Sequence, residues 1–367
     1  MTTRRELLQW LTALMALPAV GAAEIPVSRA RKPLDILFLG GTGFLGPHQV
    51  EYALARGHRV TLFNRGTSAP GLFGDRAEIL LGNRDTRVAP GLAALQGTRR
   101  WDVIIDNSGY VPRHVRDSLD LLKGRCGRYL YVSTVAVYEP TAGPLIDEKS
   151  RLRAAPEPAT EEVTGQTYGP LKAECDRIVQ AALGDQATIV RPIYIVGPGD
   201  DTDRFTYWVE RVARGGEVLG PPDPRVELQW VDVRDLCPWI VDLAERNQAG
   251  IFNAAGPATP AAWEQVLQEL ARLSSQPVQF RWATTEVMQQ TGIRLPLVRP
   301  SFFKGNEPPH FVGAAAQAAG LQYRPLADTA AATLAWWRAQ PAERRAKAEG
   351  WPTPEQEKEA LRLLAGR

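Results

Sequence analysis

The stretch Leu34-Asp35-Ile36-Leu37-Phe38-Leu39, followed at once by Gly40-Gly41-Thr42-Gly43-Phe44-Leu45-Gly46, constrains this chain more than any other. A short apolar run bounded by glycine reads as a central parallel strand, buried on both faces. Gly40, Gly43 and Gly46 recur at every third position, and each has a separate use in a strand–turn–helix unit. The first lets the chain turn tightly, and the second lets backbone approach a pyrophosphate. The third lets the next helix pack close to its strand. The helix N-terminus then offers unpaired N–H groups and partial positive charge. Gly40, Thr42, Gly43, Phe44, Leu45 and Gly46 are therefore candidate contacts to a dinucleotide.

Strand and helix patterns alternate from here. Phe44 to Arg56 has helical apolar spacing and stops at Gly57. Arg59 to Phe63 reads as a second strand, ending in Asn64-Arg65-Gly66-Thr67. An acid at this point would accept from the adenosine ribose, and none is present. Arg65 either pairs with a 2′-phosphate, which leans toward NADP over NAD, or is a solvated turn arginine. A third strand, Ala77 to Leu81, precedes Asn83, a candidate hydrogen-bonding partner for adenine. Trp101 to Asp106 is a fourth strand, with the turn Asn107-Ser108-Gly109-Tyr110 and a helix from Val111 to Leu122. Arg128 to Ser133 is a fifth and Ala187 to Val190 a sixth. Such alternation implies right-handed crossovers and a parallel α/β sheet that binds ligands past its carboxyl ends. Ser108, Ser133 and Thr134 fall at those ends.

Tyr168 and Lys172 lie four apart, on one face of a helix whose first turn accommodates Pro170. A phenol titrates far above neutrality, so it needs help to act as a base. An ammonium one turn away would favour phenolate, and the same lysine has the reach to hold a nicotinamide ribose. Thr134, from the end of the fifth strand, would hydrogen-bond the reacting oxygen.

Four segments in this order resemble the extended short-chain dehydrogenase/reductases of the NAD-dependent epimerase/dehydratase family. They are Gly40-x-x-Gly43-x-x-Gly46, Ser133-Thr134-Val135-Ala136-Val137-Tyr138, Tyr168-x-x-x-Lys172 and Arg191-Pro192-Ile193-Tyr194-Ile195-Val196-Gly197-Pro198-Gly199. The resemblance implies a Rossmann-type doubly wound parallel sheet with a smaller C-terminal substrate lobe. It implies Tyr168 as acid/base, Lys172 as its assistant and Thr134 as the hydroxyl that polarises substrate. Pro192 and Ile195 would join the cofactor contacts. Tyr110, Val135, Tyr194, Arg204 and Trp208 are candidate substrate contacts, with Tyr138 and Arg225 beside them. Arg204 either pairs with a substrate anion or forms a surface ion pair. Trp208 either stacks on a sugar or fills the lobe core.

Beyond Gly199 the pattern becomes helical with short strands. Helices are expected over Phe205–Arg214, Arg234–Arg246 and Pro260–Leu273, with strands at Trp230–Val233, Ile251–Gly256 and Pro277–Trp282. Parts of 225–256 should return to the main domain. Leu295 to Pro309 is a Pro- and aromatic-rich loop suited to covering the cleft. Asp328 is a candidate N-cap for a helix to Ala339, and the charged tail reads as a solvated terminal helix.

The first residues read as an address. Arg4-Arg5 precede a short apolar stretch that ends in small residues, which resembles a twin-arginine secretory signal. The expected organisation is a signal over 1–23, a linker over 24–33 and a dinucleotide domain over 34–198. A substrate lobe over 199–345 and a C-terminal helix over 346–367 complete it. The formal net charge is +2. It stays near zero without the leader, so composition nominates no nucleic-acid partner. The 4 histidines and 3 cysteines show no metal-ligand spacing, and the cysteines read as buried free thiols.

The expected protein is thus periplasmic or otherwise exported, with no stable membrane span after cleavage and with the twin-arginine export machinery as a partner. A second copy of the chain is an open partner. Free nicotinamide nucleotides are scarce outside the cytoplasm, which favours a retained NAD or NADP and redox-neutral chemistry on a sugar-like hydroxyl. Two other readings stay open. One is a dehydratase or an enzyme that cleaves glycosides through a keto intermediate. The other is a non-catalytic nucleotide- or RNA-binding member, because the chloroplast stem-loop RNA-binding proteins resemble this family too.

Overall fold

β1 (Asp35–Leu39) shows how the chain is layered. Its side chains alternate faces, as a strand's period of two requires. Ile36 and Phe38 pack into one apolar layer, and Leu37 and Leu39 into the opposite one. All four are fully buried, each worth roughly 1.5–3 kcal/mol by removal from water. The computed structural model describes residues 27–298, 309–348 and 350–366.

After β1 come α1 (Leu45–Ala55), β2 (Arg59–Asn64), β3 (Glu78–Leu81), β4 (Trp101–Asp106), α2 (Pro112–Leu122) and β5 (Cys126–Val132). A short β6 (Leu145–Ile146), α3 (Tyr168–Leu183), β7 (Ala187–Pro192) and β8 (Tyr194–Val196) follow. Then come α4 (Arg204–Ala213), β9 (Gly216–Gly220), β10 (Glu227–Asp232), α5 (Val233–Glu245), β11 (Gly250–Ala254), β12 (Gly256–Ala262) and α6 (Trp263–Ala271). The remainder is β13 (Val278–Trp282), α7 (Thr285–Thr291), β14 (His310–Phe311), α8 (Ala314–Ala318), α9 (Leu326–Ala339), α10 (Ala342–Ala346) and α11 (Pro354–Ala365).

The central sheet has seven strands in the order β11-β7-β5-β4-β1-β2-β3, and every pairing is parallel. This is the doubly wound, Rossmann-like arrangement. The chain reverses direction across the sheet between β1 and β4, and the resulting crevice lies past their carboxyl ends. α1 and α5 pack together over one face, and α2 and α3 over the other. The buried positions of α1 are Gly46, Gln49, Val50 and Ala53. Those of α2 are Val115, Ser118, Leu119 and Leu122. Both sets follow the helical stripe i, i+3, i+4, i+7.

The lobe is built on β8, β10 and β12, with a parallel β9–β13 pair beside them. Its core holds Phe205, Trp208, Val212, Trp263, Leu267 and Leu334. The chain leaves the lobe at α5, adds β11 to the edge of the central sheet beside β7, and returns.

Several sequence expectations need correction. The helix expected from Pro260 starts at Trp263, because Gly256–Ala262 pair with β10 as a strand. Asp328 lies inside the first turn of α9 rather than capping it, and it pairs with Arg234 and Arg324. The tail is two helices. The second, α11, lays Ala360 and Leu364 against the lobe core and ties Glu357 to Arg211 at 2.7 Å, so it is not a solvated appendage. The signal over 1–23, residues 24–26 of the linker, and 299–308 of the expected cleft-covering loop lie outside the described residues. Among the described residues, no helix is long and apolar enough to cross a membrane.

Candidate active site

The glycine turn meets its steric demands position by position. Gly40 has φ +82°, a left-handed backbone that only glycine adopts cheaply. A Cβ on Gly46 would stand 2.2 Å from the carbonyl carbon of Gly41, so α1 reaches the turn only because that side chain is missing. Gly43 differs. It is exposed, and a Cβ there would meet nothing within 4 Å of the protein. It lies just before α1, which begins with no side-chain cap on its N-terminal N–H groups. An uncapped helix end over an open glycine suits a pyrophosphate, so the turn fits a dinucleotide.

The turn after β4 is held from below by a buried ion pair that sequence reasoning missed. Arg84 donates to both carboxylate oxygens of Asp106, at 2.7 and 3.1 Å, and to Ser108 Oγ at 3.1 Å. Tyr129 donates to the same carboxylate at 2.6 Å. Burial pushes the Asp106 carboxyl up, but the Arg84 charge and these hydrogen bonds win and hold it below its ordinary value. Ser108 Oγ donates to the Leu39 carbonyl at 2.9 Å, so its hydroxyl locks β1 to the turn instead of facing ligand. The turn then presents Tyr110, whose ring is 45% exposed and lies 6.2 Å from that of Tyr168.

α3 brings Tyr168 in close. A Cβ on Gly169 would sit 2.4 Å from the Ala136 carbonyl oxygen, so this glycine lets the helix dock on the turn that follows β5. Its position beside Tyr168 was the available signal, and the sequence reading passed over it. The half-buried phenol of Tyr168 is pushed up to about 12 by burial and by Tyr110; the Thr134 hydroxyl near it and the positive charge of Arg204 oppose this. Thr134 Oγ1 also accepts from the Ala136 N–H at 3.1 Å.

Lys172 is buried beneath the strand ends. Its ammonium donates to the Gly109 carbonyl at 2.9 Å and the Val132 carbonyl at 2.8 Å. It lies 4.1 Å from the centre of the Tyr131 ring, a cation–π contact in a dry setting. Burial lowers its pKa. Lys172 therefore fastens the ends of β4 and β5 together with two of its three N–H donors.

Other predicted residues separate into two groups. Thr134, Tyr110, Tyr168 and Arg204 converge, and Arg204 sits 5.2 Å over the ring of Tyr194. Val135 is buried beside them. Asn64 and Asn83 shape their own turns, accepting from Gly66 N at 2.7 Å and Asp85 N at 2.9 Å. Arg65 is exposed. Pro192 ends β7, and Ile195 packs against the core from β8. The Ser133 hydroxyl donates at 2.5 Å to Asp176, which pairs with Arg191 at 2.8 Å in full burial. Tyr138 belongs to the same network, accepting from Arg191 and donating to Asn253. Trp208 is wholly buried, with its indole N–H on the Pro296 carbonyl, so it is lobe core. Arg225 pairs with Asp223 on the surface. The three cysteines are buried and unpaired, and no group of three metal-ligating side chains occurs among the described residues.

A family model described as the NAD dependent epimerase/dehydratase family matches residues 36–255. The chain belongs to that family. A curated relative, the chloroplast stem-loop binding protein of 41 kDa b from Arabidopsis thaliana, is 27% identical over 251 residues. The match covers 64% of this chain and 61% of the relative. Among solved structures, the Bordetella bronchiseptica enzyme WbmG in complex with NAD and UDP has a TM-score of 0.61 at 16% identity, covering 84% of this chain and 95% of that one. UDP-glucose 4-epimerase from Bifidobacterium longum in complex with NAD+ and UDP has a TM-score of 0.59 at 18% identity, covering 83% and 98%. At these identities the likeness is one of fold.

Proposed function

We propose that this member is an exported enzyme that moves a proton and a hydride at a hydroxyl of a sugar-like substrate. The observation that carries the reading is the placement of Tyr168 near the Thr134 hydroxyl and 6.2 Å from the Tyr110 ring, at the carboxyl ends of the parallel strands, where the open glycine turn also follows its strand. The N–H groups at the start of α1 and the Gly40–Gly46 turn would hold a nicotinamide dinucleotide, which when bound supplies the hydride acceptor and donor. Thr134 holds the reacting oxygen. Tyr168 carries the proton, and burial, which favours its protonated form, suits it to donate to a substrate carbonyl. Lys172 keeps the strand ends that support both in register. The basic start of the chain supports export, and export favours a retained nucleotide and redox-neutral epimerisation. Arg65 supports NADP as the form bound, tested by comparing Kd for the two nucleotides.

The test is Tyr168→Phe with the bound nucleotide identified after denaturation. Turnover should vanish while the nucleotide stays. Undiminished turnover overturns the acid/base role. The stem-loop binding relative supports a second reading, a nucleotide- or RNA-binding protein without turnover. Tight RNA binding by a protein that takes up neither nucleotide would favour it.

A further inference from the structure

α4 opens in an unusual way. Asp203, the residue before it, has φ +52° and ψ 15°, a left-handed backbone that costs a non-glycine residue about 1 kcal/mol or more. Its carboxylate caps nothing. Instead it takes a two-pronged ion pair from Arg344, at 2.7 and 2.8 Å, while Trp351 donates to its carbonyl at 2.9 Å. The next residue is Arg204. Its Nε donates to Thr202 Oγ1 at 2.9 Å, and Thr202 in turn donates to Asp200 at 2.5 Å. Asp200 is 1% exposed.

The guanidinium is thus gripped along one edge and laid on the Tyr194 ring, with its charge felt at the Tyr168 phenol. Its two terminal NH2 groups have no acceptor among the described residues. A half-buried, aimed fork of N–H donors matches one kind of ligand, a planar or tetrahedral oxyanion taken up in bidentate fashion. Among the described residues no surface ion pair, the alternative considered from sequence, forms at Arg204.

We infer that Arg204 is the anion receptor of the crevice, and that the substrate carries a carboxylate or phosphate near the hydroxyl served by Tyr168. This rests on the reading of Tyr168 above. The test uses the full chain with Tyr168→Phe, in the presence of NAD+, and measures calorimetric binding of glucuronate, glucose 6-phosphate and glucose. At least one anion should bind roughly tenfold or more tighter than glucose, the worth of one charged hydrogen-bonded pair. Which anion does so separates carboxylate from phosphate. Arg204→Gln should erase the difference, and Arg204→Lys should restore part of it. Anions that bind no tighter than glucose, or not at all, overturn the inference. So does a preference that survives Arg204→Gln. Because binding is read without turnover, an active Tyr168→Phe enzyme would count against the acid/base role alone.

Discussion

Gly43 and Gly46 differ by three positions and should fail in opposite ways. Gly43→Ala adds a methyl that touches no protein atom, at a residue without positive φ. The folded state loses nothing, and the unfolded chain loses freedom, so stability should hold or rise by about 0.4–1 kcal/mol. The methyl would occupy space that the protein leaves open. If a pyrophosphate comes to that backbone, it must retreat and give up one or two charge-assisted hydrogen bonds. Each is worth about 1.5–3 kcal/mol, so Kd should rise by roughly tenfold to a thousandfold or more. Gly46→Ala drives a Cβ to 2.2 Å from the Gly41 carbonyl carbon, where helix and turn must part. Overpacking of this kind costs about 1–3 kcal/mol or more. Thermal unfolding and titration with NAD+ and NADP+ separate the two variants. A Gly43→Ala protein that binds nucleotide as tightly as its parent would refute the placement of the phosphates.

Three further outcomes are expected. Arg191→Met leaves the Asp176 carboxylate buried without its partner and should cost about 3–5 kcal/mol in denaturant unfolding. Arg344→Met should cost about 1–3 kcal/mol and weaken binding of the anionic probe more than it lowers kcat, with Arg344→Lys restoring part of the affinity. The Asp106 carboxyl is held below its unfolded value, so its contribution to stability is complete above about pH 4 and is lost as pH falls through the lowered value. Arg84→Met should therefore move the acid-unfolding midpoint, followed by circular dichroism, to higher pH.

The sheet was legible because its strands are apolar runs closed by turn residues, and the crevice because glycine spacing has few physical meanings. Tyr168 and Thr134 could be placed together through strand-end logic. What stayed hidden was pairing over distance. Nothing local to Arg84 or Arg191 announces a buried carboxylate 22 or 15 residues away. For Lys172, helical spacing sets which face the side chain leaves from. It does not set where four flexible carbons carry the ammonium, and here two carbonyls and an aromatic ring take it. Trp208 resisted assignment because large aromatics serve lobe cores and sugar platforms equally. The tail's charge obscured a stripe of small and aliphatic residues on α11.

The clamp on Asp203 divides the proposed nucleotide turn from the proposed anion receptor. The glycine turn is complete within the first crossover, whereas Arg204 is aimed by Arg344 and Trp351, 141 and 148 residues downstream of the residue they grip. A chain still emerging from the ribosome, or one nicked by a protease after Gln340, would possess a nucleotide cradle without an oriented arginine. On the reading proposed above, its discrimination among anions would vanish before nucleotide binding did.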